Sequence, residues 1–195
     1  MAPTHGGVVF SVSRERVRGM DPGETGAALR VGCGVDADFS AVYRIMVQVR
    51  PSHEADIPVM ERIERVCFAS DRLARRQFHY LLTRGHALML TALVDAQIQG
   101  YGLLLLRRNS RAARLYSLAI HPGSRRAGLG RMVLRALEKA ARALGLTSIH
   151  LEVRADNTPA IAFYQGLGYR SFAVHLDYYA DHQDACRMRK RLDTQ

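Results

Sequence analysis

A short glycine- and arginine-rich stretch joins a strand-like segment to a helix-like segment past the middle of the chain. Residues 125–131 read Arg-Arg-Ala-Gly-Leu-Gly-Arg, and they follow the apolar run Leu-Tyr-Ser-Leu-Ala-Ile at 115–120. The glycines let the backbone approach a ligand closely, and the first N–H groups of a helix have no partner inside it. These groups, the helix dipole and three arginines predict a pyrophosphate cradle. The alternative is an ordinary strand-to-helix turn with basic surface residues.

A second motif lies downstream of the helix that the glycine stretch begins. Residues 151–169 contain the pattern L-E-V-R-x-x-N-x-x-A-I-x-x-Y-x-x-L-G-Y. The glycine stretch resembles the acyl-CoA loop, [Q/R]-x-x-G-x-[G/A], of the GNAT superfamily of N-acetyltransferases. The second motif resembles the RimI branch of that family, which acetylates protein N-terminal amines. Both motifs occur in order and at the family's spacing, and the resemblance covers roughly residues 47–192.

The resemblance implies a binding site for acetyl-CoA as acetyl donor, without a metal ion. Backbone groups of Leu118, Ala119 and Ile120 would bind the pantetheine arm, and Asn157 matches an asparagine that contacts the same arm. The pyrophosphate would lie against Arg125, Arg126, Ala127, Gly128, Leu129, Gly130 and Arg131. Two simpler interpretations stay open: Asn157 as a plain helix cap, and residues 118–120 as buried strand residues.

Two residues of the second motif are candidates for proton transfer. Glu152 alternates with Leu151 and Val153, so its side chain lies on the opposite face of the strand, where a carboxylate can take a proton from an amine. Tyr164 stands on the next helix, and its phenol can protonate a departing thiolate. The resemblance implies these roles, with direct attack of the amine on acetyl-CoA. The alternatives are a Glu152 paired with Arg154 or with an arginine of another strand, and a Tyr164 that packs in the core.

Hydrophobic periodicity predicts one α/β (α+β) domain over residues 47–195. Strands are expected at residues 47–50, 86–94, 98–107, 114–121, 147–154, 169–175 and 185–192. Short turns between the second, third and fourth strands predict an antiparallel meander, whereas the strand–helix–strand order that follows predicts a locally parallel arrangement. The implied GNAT fold is a mixed central sheet of six to seven strands, with helices on both faces.

Two helices are expected between the first two strands, the second of them starting at Ser70-Asp71 and stopping at Gly85. In GNAT proteins this pair borders the acceptor cleft, so Arg72, Arg75 and Arg76 are candidates for lining it. The alternative is that these arginines form a solvated helix face. Tyr178, Tyr179 and Asp184 resemble the Y-Y…D-A stretch near the end of RimI-type enzymes and are further candidates for shaping the acceptor site.

The first 46 residues differ from the rest of the chain. Residues 1–34 hold seven of the 16 glycines and show no sustained periodicity, which predicts a flexible extension over residues 1–46. Five arginines and five acids balance within residues 1–46, so the net charge of +10 belongs to residues 47–195. A basic domain suits a polyanionic cofactor, or an acidic or RNA-rich partner. Met46 immediately precedes the first strand, and translation from Met46 is a hypothesis.

Several classes of protein do not fit this composition. No apolar run approaches the ~20 residues of a membrane span, and no secretory signal is evident, so no membrane partner is expected. Three cysteines without C-x-x-C spacing argue against a disulfide framework or a zinc site and fit the cytoplasm.

The expected function is acetyl transfer from acetyl-CoA to a protein or peptide amine, with the N-terminal α-amine favoured over lysine. The alternatives are a small-amine acetyltransferase, acting on a polyamine, an amino acid or an aminoglycoside, and a non-catalytic acyl-CoA-binding or RNA-binding module. Nucleic acid is not expected as a direct partner, because the sequence has no regular interleaving of basic and aromatic residues. A monomer or a homodimer is expected.

Overall fold

The computed structural model describes residues 46–68, 72–125 and 127–192. The predicted flexible extension lies outside this part of the chain, apart from Met46, and the boundary between extension and domain therefore stays a prediction. Arg126 of the glycine stretch also lies outside the described residues.

Seven strands and four α-helices make up the described part of the chain. The strands are β1 Val47–Pro51, β2 Ala87–Val94, β3 Gln97–Leu105, β4 Ala112–Ile120, β5 Ser148–Arg154, β6 Arg170–His175 and β7 Ala185–Arg191. The helices are α1 Ile57–Cys67, α2 Arg75–Thr83, α3 Leu129–Ala143 and α4 Thr158–Gln165. The predicted strand and helix positions are confirmed to within a few residues for the described elements. Helix α2 begins at Arg75, after residues 72–74 that are not helical, and the predicted start at Ser70-Asp71 lies outside the described residues.

The strands form one mixed sheet in the order β1-β2-β3-β4-β5-β7-β6. Strands β1 to β4 pair antiparallel with their neighbours, as the short turns predicted. Strand β4 then pairs parallel to β5, because helix α3 carries the chain back to the same end of the sheet. Strand β7 lies between β5 and β6, and both of its pairings are antiparallel.

Each face of the sheet has its own hydrophobic core, which confirms the prediction of helices on both faces. Helices α3 and α4 cover one face with the larger core, centred on residues such as Val133, Leu137 and Leu151. Helices α1 and α2 cover the other face over β2, β3 and β4, where Met60 and Phe78 are buried. Because α1 and α2 lie over β2 to β4, the β5-β7-β6 part of the same face stays largely outside this second core.

Candidate active site

Strands β4 and β5 part from each other in the middle of the sheet. Their parallel pairing covers three residues at the start of each strand, and it ends at Arg114 on β4 and His150 on β5. A register shift between β3 and β4 places Tyr116 as an extra residue on β4 just beyond this point. The rest of β4 therefore presents an edge toward an opening between the two strands.

The backbone of β4 shows which groups face this opening. The N–H of His121 donates to the carbonyl of Gln99 on β3 at 2.8 Å, and backbone groups alternate between the two edges of a strand. Leu118 and Ile120 consequently direct their N–H and C=O groups to the open edge, whereas those of Ala119 point toward β3. Of the three residues predicted to bind a pantetheine arm, the geometry thus favours Leu118 and Ile120, and Ala119 contributes a buried side chain.

The glycine stretch forms the N-terminus of α3, beside the end of β4. Gly128 is the N-cap residue with φ of 76°, a left-handed conformation that glycine adopts without strain, and a Cβ there would meet open space. Its carbonyl accepts from the N–H of Met132 at 3.1 Å. The N–H groups of Leu129, Gly130 and Arg131 precede the first N–H that donates within the helix, that of Met132, and are available to an anion. The side chain of Leu129 is buried, so this residue offers its backbone alone.

The arginines of the loop differ in position. Arg125 folds back toward β4, where its Nε donates to the carbonyl of Ile120 at 3.3 Å and its Nη2 lies 3.8 Å from Cys67 Sγ. Arg131 and Ala127 are exposed at the start of α3. Arg125 therefore lies at the open edge of β4, while Arg131 adds charge to the helix terminus.

Glu152 is buried on β5 in an ionic cluster on the α1/α2 side of the sheet. Its Oε2 accepts from Arg114 Nε at 2.7 Å, and Arg187 Nε lies 3.5 Å from Oε1. Arg114 Nη2 also donates to the hydroxyl of Tyr178 at 2.6 Å, in the stretch between β6 and β7. The pairing of Glu152 with arginines of other strands is thus present, with the carboxylate 7% exposed. The Arg154 alternative is not seen, since that side chain binds Asp156 and Asp181.

Tyr164 is fully buried on α4 within the larger core. Its ring packs edge-on against Phe163 and Tyr169, with centroids 5.4 and 5.6 Å apart, and its hydroxyl has no hydrogen-bond partner among the described residues. Burial, and secondarily the neighbouring Tyr179, raises the pKa of Tyr164 above its ordinary value, so the phenol stays protonated at neutral pH. Glu152 and Tyr164 belong to opposite faces of the sheet.

Asn157 caps the helix that carries Tyr164. Its Oδ1 accepts from the N–H of Ala160 at 3.1 Å, and Pro159 occupies the first turn. The helix-cap interpretation is therefore confirmed, and it is compatible with a contact from the amide nitrogen to a ligand.

An apolar cleft of about 460 Å³ lies between α2 and the start of β4. It ends at Arg114 and is therefore adjacent to the Glu152 cluster through the bond between the two residues. Of the three arginines predicted to line an acceptor cleft, Arg76 does so, whereas Arg72 bonds to the carbonyl of Phe68 and Arg75 is exposed. The lining comprises Leu73, Arg76, Gln77, Tyr80, Leu81, Leu105, Arg114 and Tyr116.

Sequence reasoning missed a buried carboxylate, Glu64 of α1. Its Oε1 accepts from the N–H of Leu73 at 2.9 Å, and its Oε2 accepts from the hydroxyl of Tyr101. That hydroxyl also lies 2.9 Å from Ser117 Oγ on β4. Burial raises the pKa of Glu64 to about 7, against the bonds from Leu73 and Tyr101 and the charge of Arg72. Glu64 thus joins α1 to Tyr101 of β3 and to the start of the cleft wall at Leu73, and Tyr101 extends the connection to β4.

Arg114 was also missed, although a sequence signal existed. It lies in an otherwise apolar strand, and arginines in such strands are rarely buried unless they are paired.

No group of three or more His, Cys, Asp and Glu side chains in the described ranges is arranged to hold a metal ion. Within the same ranges, no helix is long and apolar enough to cross a membrane.

A sheet that opens beside a glycine-capped helix, with an ionic cluster at the opening, has the architecture of an acyl-CoA-dependent acetyltransferase. Residues 49–169 match the model of the Acetyltransferase (GNAT) family. The chain belongs to this family, whose members use acetyl-CoA as the acetyl donor.

Named relatives are similar over the same region. The chain is 39% identical over 79 residues to "[Ribosomal protein bS18]-alanine N-acetyltransferase" of Salmonella typhimurium, covering 39% of this chain and 53% of that protein. It is 33% identical over 113 residues to an N-alpha-acetyltransferase of Sulfurisphaera tokodaii, covering 52% of this chain and 68% of that protein. It resembles the crystal structure of the Escherichia coli ribosomal-protein-S18-alanine N-acetyltransferase with a TM-score of 0.70 at 25% identity. The match covers 77% of this chain and 96% of that one. The chain spans about half the length of the bacterial curated relatives it matches.

The titration of Glu64 predicts a pH-dependent stability difference. A glutamate with an ordinary pKa of 4.5 loses its proton in the unfolded chain, while folded Glu64 keeps its proton up to about pH 7. The contribution of Glu64 to the free energy of unfolding is therefore most favourable below pH 4.5, and the free energy of unfolding of the wild type falls by up to about 3 kcal/mol between pH 4.5 and 7. Glu64→Gln keeps an acceptor for Leu73 and does not titrate. Its free energy of unfolding, measured in urea from pH 5 to 8, should rise relative to wild type as the pH increases.

Glu61→Gln is the matched control, because Glu61 is on the same helix but pairs with Arg65 near the surface. A difference between Glu64→Gln and wild type that stays constant from pH 5 to 8 contradicts the assignment of this titration to Glu64.

Proposed function

We propose that this chain transfers the acetyl group of acetyl-CoA to the N-terminal amine of a protein or peptide, in the cytoplasm. The observation that carries the proposal is the opening between β4 and β5, with the N-terminus of α3 at one end and Glu152 at the other. The named relatives, which are N-terminal and ribosomal-protein acetyltransferases, support a protein acceptor. The free thiols of Cys67 and Cys186 support a reducing compartment.

The residues around the opening fit acetyl-CoA. The unstrained Gly128 leaves open space at the helix terminus where a Cβ would otherwise stand, and the N–H groups of Leu129 to Arg131 suit a pyrophosphate. Leu118 and Ile120 are placed to pair with the amide groups of an extended pantetheine arm, as an added strand would. Bound there, acetyl-CoA supplies a thioester carbonyl for attack by an amine.

Tyr164 is the proposed proton donor to the thiolate that leaves. A buried hydroxyl without a partner costs roughly 1–3 kcal/mol, and a sulfur atom at the opening would give this hydroxyl an acceptor. The elevated pKa of Tyr164 keeps the phenol protonated until the thiolate forms. Its position on a capped helix, packed against Phe163 and Tyr169, holds the ring in one orientation.

Glu152 is the proposed group that receives the amine and its proton. Arg114 occupies one lone pair of Oε2, and each carboxylate oxygen has a second lone pair for an amine or for a bridging water. Arg114 and Arg187 hold the carboxylate in place from two neighbouring strands. An acceptor amine that is already partly deprotonated at neutral pH depends less on a strong base. An α-amine with a pKa of ~7.7–8.0 is deprotonated to a larger extent than a lysine side chain with a pKa of ~10.4.

The apolar cleft beside α2 favours a peptide acceptor over a small polar amine. It adjoins Arg114, so an amine at Glu152 would place the following side chains of a peptide against apolar lining such as Leu73 and Tyr116. Polyamines and aminoglycosides carry several charges, which an apolar wall containing Arg76 and Arg114 would not stabilise.

A panel of acceptors tests this function directly. Purified chain and acetyl-CoA should turn over peptides with a free N-terminus, including an N-terminal alanine, with the highest kcat/KM. Peptides with a blocked N-terminus and one lysine should react roughly a hundredfold more slowly at neutral pH, because so little lysine is neutral there. Glu152→Gln should lower kcat about 10²–10⁴-fold at unchanged affinity for coenzyme A.

Three outcomes would contradict the proposed function or the proposed role of Glu152. Turnover confined to polyamines, amino acids or aminoglycosides would favour the small-amine alternative. Binding of acetyl-CoA without turnover of any acceptor would favour a non-catalytic acyl-CoA-binding module. Full activity of Glu152→Gln at every pH would make Glu152 structural and direct attention to His150 and His121.

The two ends of α3 provide a test of the cradle. Gly128 and Gly145 both have φ near 75°, and a Cβ at either position meets open space. Gly128→Ala and Gly145→Ala should therefore lose similar amounts of stability, about 1 kcal/mol each from backbone strain. Only Gly128→Ala should weaken coenzyme A binding, measured by calorimetry, because its Cβ lies where the pyrophosphate approaches. Equal affinities of the two variants for coenzyme A would exclude the cradle at Gly128.

Tyr164 and Tyr169 provide a test of the proton donor. Tyr164→Phe removes a buried hydroxyl that has no hydrogen-bond partner in the described part of the chain, so the variant should be as stable as wild type or more stable. Its kcat should nevertheless fall about 10²–10⁴-fold if the hydroxyl protonates the thiolate. Tyr169→Phe removes a buried hydroxyl from the same cluster, on the side of Glu138, and should keep kcat. Wild-type kcat in Tyr164→Phe would assign Tyr164 to the core alone.

A further inference from the structure

A basic surface with an aromatic residue at its centre lies on the β5-β7-β6 end of the sheet. Strand β7 carries Arg187, Arg189 and Arg191 at alternate positions, and these share the face of Glu152, which pairs with Arg187 across the strands. Arg170 of β6 pairs with Arg189 and so lies on the same face. We call these four arginines together with Phe172 the arginine–phenylalanine surface.

Phe172 connects the arginines of this surface. It occupies a register shift of β6, and its ring lies 5.0 Å from the guanidinium carbon of Arg187 and 5.2 Å from that of Arg189. The side chain is 44% exposed, although it is a large hydrophobic residue. Next to it is a depression of about 450 Å³, lined by Gly168, Arg170, Ser171, Phe172, Arg189 and Arg191.

Three of the four arginines of this surface have no carboxylate partner within the described ranges, and only Arg187 pairs with one, Glu152. Arginines on other parts of the fold have carboxylate partners, as in the pairs Arg50–Asp56 and Arg65–Glu61. In residues 46–68, 72–125 and 127–192, no carboxylate forms an ion pair with Arg170, Arg189 or Arg191.

The neighbouring His150 lies beside the same arginines. Burial is the main cause that lowers the pKa of His150; the charge of Glu152 raises this pKa, and the charges of Arg114, Arg187 and Arg189 lower it. A cluster of arginines on one face of a strand is the electrostatic footprint of a polyanion site.

We propose that the arginine–phenylalanine surface binds single-stranded RNA. Alternate residues of a strand are ~6.6–6.8 Å apart and neighbouring strands are ~4.7–4.9 Å apart, so the arginines form a row to which successive phosphates can bind. Single-strand binders combine such a row with aromatic rings on which bases stack. An acidic peptide segment without aromatic residues would pair with the arginines, but it would offer no ring to stack on the exposed Phe172, whereas every nucleotide brings both a phosphate and a planar base.

The sequence alone concealed this arrangement. Phe172 and Arg189 lie on different strands, and the basic–aromatic interleaving that was missing along the chain forms only across the pairing of β6 with β7. The surface is continuous with the proposed active site, because Arg187 contacts both Phe172 and Glu152. The choice of RNA over DNA is the one step that rests on the proposed function, since a protein N-terminus first emerges from a ribosome.

Fluorescence anisotropy with a labelled single-stranded RNA of about 12 nucleotides tests the proposal on the full chain. Binding should be saturable at about 50 mM salt, and the logarithm of the association constant should fall with the logarithm of salt concentration with a slope near −2 for three phosphate contacts. Phe172→Ala should weaken binding about fivefold to a hundredfold because base stacking is lost. Phe172→Tyr keeps an aromatic ring and should bind RNA with the affinity of wild type. Arg189→Gln/Arg191→Gln should weaken binding and flatten the slope by about 1.4.

The matched control removes the same charge elsewhere. Arg62 of α1 and Arg135 of α3 are exposed, and Arg62→Gln/Arg135→Gln should keep the affinity of wild type. An equal loss in this control would overturn the proposal, as would no RNA binding at low salt. Two further results would overturn it: undiminished binding in Phe172→Ala with full competition by polyglutamate, and tighter binding of single-stranded DNA of the same sequence.

The titration contains neither acetyl-CoA nor an acceptor amine. A failure of RNA binding therefore leaves the acetyltransferase proposal intact, and an inactive enzyme that still binds RNA through Phe172 leaves this one intact. Thermal unfolding of each variant confirms that the compared proteins are folded.

Discussion

The short parallel pairing between β4 and β5 is the constraint on which the candidate site depends. Beyond Arg114 and His150 the two strands no longer hydrogen-bond, so the backbone of β4 has one unpaired edge inside a central sheet. Buried backbone groups need partners, and at Ile120 the carbonyl accepts from Cys67 and Arg125 instead of a strand. An extended ligand can take the place of the missing strand partner there. A pantetheine arm paired with this edge of β4 would lead directly to the glycine loop beside the end of the strand.

Two buried carboxylates on one face of the sheet illustrate how partners decide the role of a charge. Glu152 lies between Arg114 and Arg187, so it is held by full positive charges at the edge of the opening. Glu64 has hydrogen bonds from Tyr101 and Leu73 as its direct partners, and burial raises its pKa to about 7. The first carboxylate suits contact with an amine, and the second links the cleft wall to β4.

Much of the fold followed from local patterns along the chain. Turn residues and alternating apolar residues located the strands, and the apolar stripe of α3 located the long helix, because local backbone preference and one buried face act within a few residues. The sequence did not indicate that α2 begins at Arg75, because the residue before it is Ala74, whose backbone N–H donates to the side chain of Gln77, and no serine or aspartate stands there as a capping signal. For the candidate site, the sequence indicated Gly128, Glu152, Asn157 and Tyr164 but neither Arg114 nor Glu64.

The sequence by itself determined the order of the elements, the glycine-capped helix, the strand face of Glu152 and the family resemblance, since each depends on residues close together in the chain. Only the tertiary structure decided which arginines bind Glu152, that the hydroxyl of Tyr164 is buried without a partner among residues 46–68, 72–125 and 127–192, and that Phe172 lies among arginines of a neighbouring strand. These features arise from pairing between strands distant in sequence, from the register shift on β6, and from burial. Each is a property of the packed sheet, which no periodicity within a single segment encodes.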